Sequence, residues 1–257
     1  MISTIDFSNL DAKDVLNEDA FPEYERGMDF FYLEQLVPLN ASIYVMEHIL
    51  RFPFGLFTDF GDRIFFTLVL RNFFQAGLLT ITRLATDTKG DLYTLLQFKN
   101  WVCQQVRPQY RDDFQAHLRR TRFDKKTRAM FSKAKQLRDG QVAHLKRDFN
   151  ISEQDRLDFE ELKTLRDSLN FVLDALSFNV DRVMLPIQYS PRVTHPTNID
   201  SRSDIEKLLD SIARNSVILN LPEDEPEYWP TYRKNLSERE LEALNEYRFK
   251  FGLPAVQ

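Results

Sequence analysis

The scarcity of glycine is the feature that most constrains the fold of this chain. The sequence has 257 residues and only 7 glycines. Hairpins and tight strand connections usually need glycine where the backbone turns sharply, so few glycines disfavour a β-rich fold. Apolar residues also recur at spacings of three and four in EYERGMDFFYLEQL and LNASIYVMEHILRF, which is the period of an amphipathic helix. The sequence therefore predicts an all-α protein, with an aromatic-rich core because 22 residues are phenylalanine.

The hydrophobic pattern divides the chain into three parts. Polar and acidic residues dominate 1–20, which we interpret as a loose N-terminal arm. Helical periodicity then runs through 21–183 and predicts a helical bundle. A C-terminal extension over 184–257 follows, with two short helices, the second of which begins with a capping box at Ser237–Glu240 and ends near residue 249. Only short pieces such as SVILNL favour a strand.

The most apolar stretch, 60–86, is predicted to form one long helix at the centre of the bundle, because it is apolar nearly all round. Arg63, Arg71 and Arg83 interrupt it, whereas a bilayer span has roughly 20 residues with few or no charges. The N-terminus lacks the basic start and the apolar run of a signal peptide. We therefore expect a cytoplasmic protein that does not contact a membrane.

The sequence lacks the common motifs of metal and cofactor chemistry. It contains no Gly-rich phosphate loop, no Cys/His zinc spacing and no His-Glu-x-x-His. The single cysteine, Cys103, excludes an intramolecular disulfide, which fits a reducing compartment. We interpret it as a small buried apolar residue rather than a nucleophile. We expect no cofactor and no metal, and we place His48 in the core and His117 on a helix surface.

A strongly basic segment stands out in this acidic chain. From Arg119 to Arg147 there are eleven Lys or Arg residues and two acids, an excess of nine positive charges in a protein of net charge −5. Such a run is often a solvated helix face. Few Glu residues balance it at i,i+4, so we expect it to bind a polyanion such as RNA. The predicted RNA-binding residues are Arg128, Lys133, Lys135, Lys146 and Arg147.

The same segment contains an arginine and a histidine six residues apart, Arg138 and His144. On a continuous α-helix their side chains would lie about 120° apart and would not share a face. The Asp139-Gly140 pair predicts a break, with Asp139 as the cap of a new helix and Arg138 just before it. With this break the two side chains can meet, whereas on a continuous helix they would point to different faces.

The stretch LRDGQVAHL, 137–145, resembles the motif of the HEPN superfamily, in which an Arg and a polar residue are followed at short distance by His. It is most similar to the abortive-infection branch, whose motif commonly reads Leu-Arg-polar-x-x-φ-Ala-His. The upstream block LLTITRLATDTKGDLYTLLQF also looks like that branch. The resemblance covers about 25–180 and implies a HEPN-like helical bundle that forms a homodimer.

The resemblance implies a metal-independent endoribonuclease that acts in anti-phage defence or as a toxin, with RNA as its substrate. Two Arg/His pairs, one from each subunit, would surround one cleft. In that site His144 would act as general acid or base, Arg138 would stabilise charge on the phosphate, and Asp139 would orient the pair. The product would be a 2′,3′-cyclic phosphate. An antitoxin or a defence-complex subunit is a further expected partner. Some HEPN toxins carry a modified tyrosine where this chain has Lys146, so we do not expect that regulation here.

Several alternatives remain open. A non-catalytic RNA- or protein-binding module would use the same positive charges, and in a purely structural subunit of a defence complex His144 would be incidental. Arg83 and Asp87 either support the cleft from behind the catalytic pair or form a buried ion pair that closes the long helix. The acidic stretch EDEPEYW, 223–229, either shields the basic segment or is a solvated linker.

Overall fold

The computed structural model describes residues 5–58, 60–86, 94–142, 157–179 and 203–257. In these ranges every regular element is a helix. The only β-type pairing among them is an isolated antiparallel bridge between Leu16 and Val106. The predicted all-α fold is confirmed.

The helices are numbered here in chain order. Helices α1 to α5 cover Ala12–Val15, Phe21–Asp29, Val37–Arg51, Phe54–Phe57 and Phe60–Thr86. Helices α6 to α9 cover Leu95–Gln105, Arg111–Leu118, Lys125–Leu137 and Phe159–Leu176. Helices α10 to α13 cover Asp204–Arg214, Val217–Asp224, Trp229–Arg233 and Glu238–Lys250. Short 3-10 helices cover Phe7–Asn9, Glu18–Ala20, Pro108–Tyr110 and Arg119–Thr121, and π-helical segments cover Phe30–Leu36 and Arg138–Val142.

Side-chain caps explain where several helices begin. In α6, α9, α10 and α13 the N-cap side chain accepts a hydrogen bond from the third helical amide, and the side chain of the Gln or Glu at that position accepts one from the cap amide. The N-cap residues are Thr94, Asp158, Ser203 and Ser237. The capping box predicted at Ser237–Glu240 is therefore confirmed, and the helix that it opens ends at Lys250.

A π-helical segment joins α2 to α3 just before Pro38. Pro38 has no N–H to donate, and in a regular α-helix its ring would crowd the carbonyl group four residues earlier. The preceding residues, Phe30–Leu36, take the wider π form, and the chain stays helical from Phe21 to Arg51. Pro38 therefore neither begins a separate helix nor interrupts the helical run.

The chain folds into two compact units. Unit 1 comprises Met1–Ile43 and Phe73–Tyr189, and unit 2 comprises Tyr44–Asn72 and Ser190–Gln257. Helices α3 and α5 each contribute residues to both units. The boundary that the sequence predicts between 183 and 184 lies outside the described residues.

Aromatic side chains form much of the core of unit 1. Tyr24, Phe31, Phe98 and Phe178 are each at most 1% exposed. The ring centroids of Phe31 and Phe98 are 5.2 Å apart, and those of Tyr24 and Phe178 are 5.6 Å apart. Such pairs stabilise a fold by roughly 0.5–1.5 kcal/mol beyond the area that they bury. The predicted aromatic-rich core is present in this unit.

The N-terminal residues 5–20 are packed within unit 1. Phe7 and Val15 are 1% and 0% exposed. The amide of Arg107 donates a hydrogen bond of 2.9 Å to the carbonyl of Val15, which holds the two segments side by side. The expectation of a loose arm is wrong for these residues, because a few apolar side chains within a polar stretch are enough to bury it.

Helix α11 forms where SVILNL favoured a strand. Ile218, Leu219 and Leu221 are buried in the core of unit 2, whereas Val217 is 71% exposed. This is the one-sided burial of a helix packed on a core. The strand interpretation is wrong, and α10 to α13 place four helices in a region for which the sequence predicted two.

Helix α5 has the predicted bounds but is not buried all round. Ile64, Phe65 and Leu68 are 53%, 61% and 51% exposed. Residues 63–86 are apolar enough, with a mean hydropathy of 1.6, and long enough to cross a membrane, and only 22% of that apolar stretch is buried. Core helices of soluble proteins meet the same length and hydropathy criterion, so this helix alone assigns no location. The predicted position at the centre of a bundle is wrong.

Candidate nucleic-acid interface

Six exposed cations lie together in sequence where the 3-10 helix Arg119–Thr121 leads into α8. We call them the basic surface: Arg119, Arg120, Arg122, Lys125, Lys126 and Arg128. Nothing in the described chain forms an ion pair with any of the six. Their charges are therefore available to an anionic partner.

The one acid within this stretch, Asp124, is committed to the helix. Its carboxylate accepts a hydrogen bond of 2.7 Å from the amide of Thr127 and caps the N-terminus of α8. Hydrogen bonds from Thr127 hold the pKa of Asp124 below its ordinary value. Asp124 therefore fixes where α8 begins instead of forming an ion pair with the neighbouring cations.

Lys99 of α6 adds a further cation close to Arg122. Burial lowers the pKa of Lys99, the charge of Cys103 opposes this effect, and the charge of Arg122 lowers the pKa further. Burial raises the pKa of the Cys103 thiol, whereas an activated nucleophilic cysteine has a lowered pKa. Cys103 is half-buried where the sequence suggested a buried residue, and its raised pKa supports the interpretation that it is not a nucleophile.

The RNA-binding residues that the sequence predicts fall into different environments. Arg128 is exposed and belongs to the basic surface, and Lys135 is half-buried. The Nζ atom of Lys133 lies 2.8 Å and 3.0 Å from the two carboxylate oxygens of Glu161 on α9. Its charge is therefore already paired within the protein. Lys146 and Arg147 lie outside the described residues.

Arg138 stands at the C-terminal end of α8, and its side chain is 12% exposed. Its Nε donates a hydrogen bond of 2.7 Å to the Oδ1 of Asp139. The predicted helix break is absent: Arg138 has α-helical dihedral angles, and α8 continues into the π-helical segment Arg138–Val142. Asp139 is thus not the cap of a new helix, but it does hold the guanidinium of Arg138. His144 lies outside the described residues.

Arg83 lies near the end of α5, and its predicted contact with Asp87 falls on a residue outside the described part of the chain. Its side chain is exposed and donates a hydrogen bond to the Oε1 of Gln35, which is only 8% exposed. Gln35 belongs to the π-helical segment Phe30–Leu36, so Arg83 connects α5 to that segment. Asp87 lies outside the described residues.

The contacts of Arg166, in unit 1, were not predicted from the sequence. Leu-Arg-Asp recurs at 165–167, and the Nε atom of Arg166 lies 2.6 Å from the Oδ1 of Asp167. A guanidinium nitrogen of Arg166 also donates to the Oδ1 of Asn40, which accepts a 2.9 Å hydrogen bond from Asn170. Asn40 is 130 residues away from Asn170 in sequence, so no local pattern points to these contacts. The repeated tripeptide was the only available signal.

The two histidines that the structure describes, His48 and His117, have structural partners. His117 is half-buried, and its Nε2 lies 3.1 Å from the carbonyl oxygen of Ala175. His48 is partly exposed, and its Nδ1 lies 2.9 Å from the carbonyl oxygen of Tyr44. Both rings are therefore held against backbone carbonyls within their own units.

No family model, no curated protein and no solved structure matches this chain. Among the residues that the structure describes, no group of three or more His, Cys, Asp or Glu side chains could hold a metal ion.

Proposed function

We propose that this protein binds RNA and cleaves it as a metal-independent endoribonuclease in anti-phage defence or as a toxin. The observation that carries the proposal is the basic surface, whose six cations are exposed and form no ion pair within the described chain. Phosphate groups bind such cations with release of counterions, whatever the sequence of the RNA. An overall charge of −5 disfavours non-specific attraction elsewhere on the protein, so this surface sets where the RNA lies.

We assign the cleavage chemistry to Arg138 and His144, which follow the basic surface in sequence. Arg138 is held by Asp139, so its guanidinium has a defined position from which to stabilise charge on a phosphate. We assign His144 as the group that moves protons. The 2′-oxygen of the RNA attacks phosphorus, the bond to the 5′-oxygen breaks, the 2′-hydroxyl proton leaves and the departing oxygen gains a proton. The product is a 2′,3′-cyclic phosphate.

The proposed enzyme is a homodimer with two Arg138/His144 pairs at one cleft. The exposed apolar residues of α5 support self-association, since Ile64, Phe65 and Leu68 are each more than half exposed and adjacent exposed apolar side chains often mark interfaces. An antitoxin or a subunit of a defence complex would hold the enzyme inactive, and we assign the protein to the cytoplasm.

The second candidate is a non-catalytic RNA- or protein-binding module. The continuation of α8 past Arg138 favours it, because Arg138 and His144 would not share a face on a continuous helix. On this account the basic surface carries all of the function and His144 has no role in it.

One experiment separates the two candidates. Labelled RNA is incubated in EDTA with the wild type, with Arg138→Ala and with His144→Ala, and both binding and cleavage are measured. The enzyme loses cleavage in both variants while RNA binding through the basic surface persists. The binding module cleaves nothing in any form. Thermal unfolding of each variant controls for loss of the fold.

A further inference from the structure

Unit 2 contains an open cavity of about 590 Å³ that the proposed ribonuclease activity does not use. One wall is formed by residues 55–58 of α4 and the loop after it, together with Arg63 of α5. The rest of the lining comprises residues 215–218, at the start of α11, and Tyr232 of α12. This volume suits a small molecule rather than a water cluster or a macromolecule.

Arg63 carries the only charge among the described residues that line the cavity. Its Nη2 donates to the carbonyl oxygens of Thr58 and Gly55, at 3.2 and 3.4 Å. Its Nε is buried and has no hydrogen-bond partner, and no carboxylate of the described residues forms an ion pair with the guanidinium. A buried donor without an acceptor is unfavourable, and an anion in the cavity would remove that cost.

The rest of the lining is apolar or neutral. Leu56, Val217, Ile218 and Tyr232 contribute aliphatic and aromatic surface. The hydroxyl of Ser216, the N-cap of α11, donates to the carbonyl of Ala213 rather than capping the helix. The first amides of α11 therefore have no side-chain acceptor at the edge of the cavity, which adds to its preference for negative charge.

We propose that this cavity binds a small organic anion, with a carboxylate or phosphate group at Arg63 and an apolar or aromatic part against Leu56, Ile218 and Tyr232. Its single cation distinguishes it from the basic surface, which consists of six exposed cations. The cavity provides one cation within an apolar lining, which recognises a discrete ligand.

Two probes and a matched pair of variants test this proposal. The probes are phenyl phosphate and benzoate, with neutral benzyl alcohol as the reference, titrated into the full-length protein and followed by NMR. Val217 is 71% exposed at the first position of α11, so Val217→Asp and Val217→Asn leave the core intact and differ only in charge. Asp at a helix N-terminus is stabilising, so unfolding would not explain a loss of binding.

We expect saturable binding of at least one anionic probe to the wild type. Arg63→Gln should weaken it by about tenfold or more relative to the wild type, and Val217→Asp by about tenfold or more relative to Val217→Asn. The stronger probe identifies the preferred acidic group. The proposal is overturned if neither probe binds saturably below about 10 mM, if benzyl alcohol binds as well as the anions, or if the two Val217 variants bind equally.

Discussion

Lys133 on α8 is bound to Glu161 on α9, with Nζ 2.8 and 3.0 Å from the two carboxylate oxygens. Glu161 also accepts a hydrogen bond from the amide of Asp158 and so completes the cap of α9. One carboxylate thus fixes the start of α9 and its attachment to α8. This relationship separates Lys133 from the exposed cations that precede it in the same helix.

Lys133→Gln should therefore destabilise the protein without changing how its RNA binding depends on salt. The pair is mostly buried, with 20% and 28% of the two side chains exposed, so we expect a loss of about 1 kcal/mol in the free energy of unfolding. Chemical denaturation measures this loss. Arg128→Gln is the matched control, since it should leave stability unchanged and weaken RNA binding. The reverse pattern in the two variants would contradict the assignment.

The basic surface should set the salt dependence of RNA binding. On a single strand each neutralised phosphate contributes about 0.7 to the slope of log K against log salt. Replacing Lys125, Lys126 and Arg128 together by Gln should therefore reduce the slope by about 2. Fluorescence anisotropy over a range of salt concentrations measures it. An unchanged slope would place the RNA elsewhere on the protein.

Gly27 is required by the close approach of α2 to α6. A Cβ at this position would lie 2.3 Å from a ring carbon of the fully buried Phe98. Gly27→Ala should cost about 2 kcal/mol or more in the free energy of unfolding, because neither the ring nor the helix can move freely. Gly55→Ala is the control, since nothing lies within 4 Å of its Cβ. It should stabilise the protein by roughly 0.5 kcal/mol.

Tyr247 should make stability fall at high pH. Burial, followed by the charges of Asp210 and Glu246, raises the pKa of Tyr247 to about 12. The unfolded chain releases this proton near pH 10 and the native protein does not, so the contribution of Tyr247 to stability is constant below pH 10 and decreases between pH 10 and 12. Tyr247→Phe removes this component of the slope. The exposed Tyr228→Phe should leave it unchanged in the same denaturation series.

Local sequence signals predicted the elements of this fold better than their burial. The scarcity of glycine, the helical periodicity and the capping box at Ser237 correctly indicated an all-α chain and the start of α13. They did not predict that α5 exposes Ile64 and Phe65, because the composition of a helix does not determine which neighbours cover it. SVILNL was ambiguous for a related reason, since a short apolar run has no clear period.

For the candidate site, too, the sequence predicted the local features but not the contacts between distant residues. The excess of positive charge between Arg119 and Arg128 is a property of the sequence and survives as an exposed surface. Lys133 looked equivalent in sequence, but Glu161, 28 residues further on, pairs with it. The expected break after Arg138 rested on the capping preference of Asp139, and the π-helical continuation of α8 overrides that preference.

We propose that His144 moves the protons of a metal-independent RNA cleavage. The most direct measurement is the amount of 2′,3′-cyclic phosphate ends formed from a mixed RNA pool in EDTA by the wild type and by His144→Ala at matched thermal stability. We predict cyclic phosphate ends with the wild type and a loss of at least about a hundredfold in the variant. Equal amounts of these ends from both proteins, or none from the wild type in the presence or absence of its defence partners, would contradict the account.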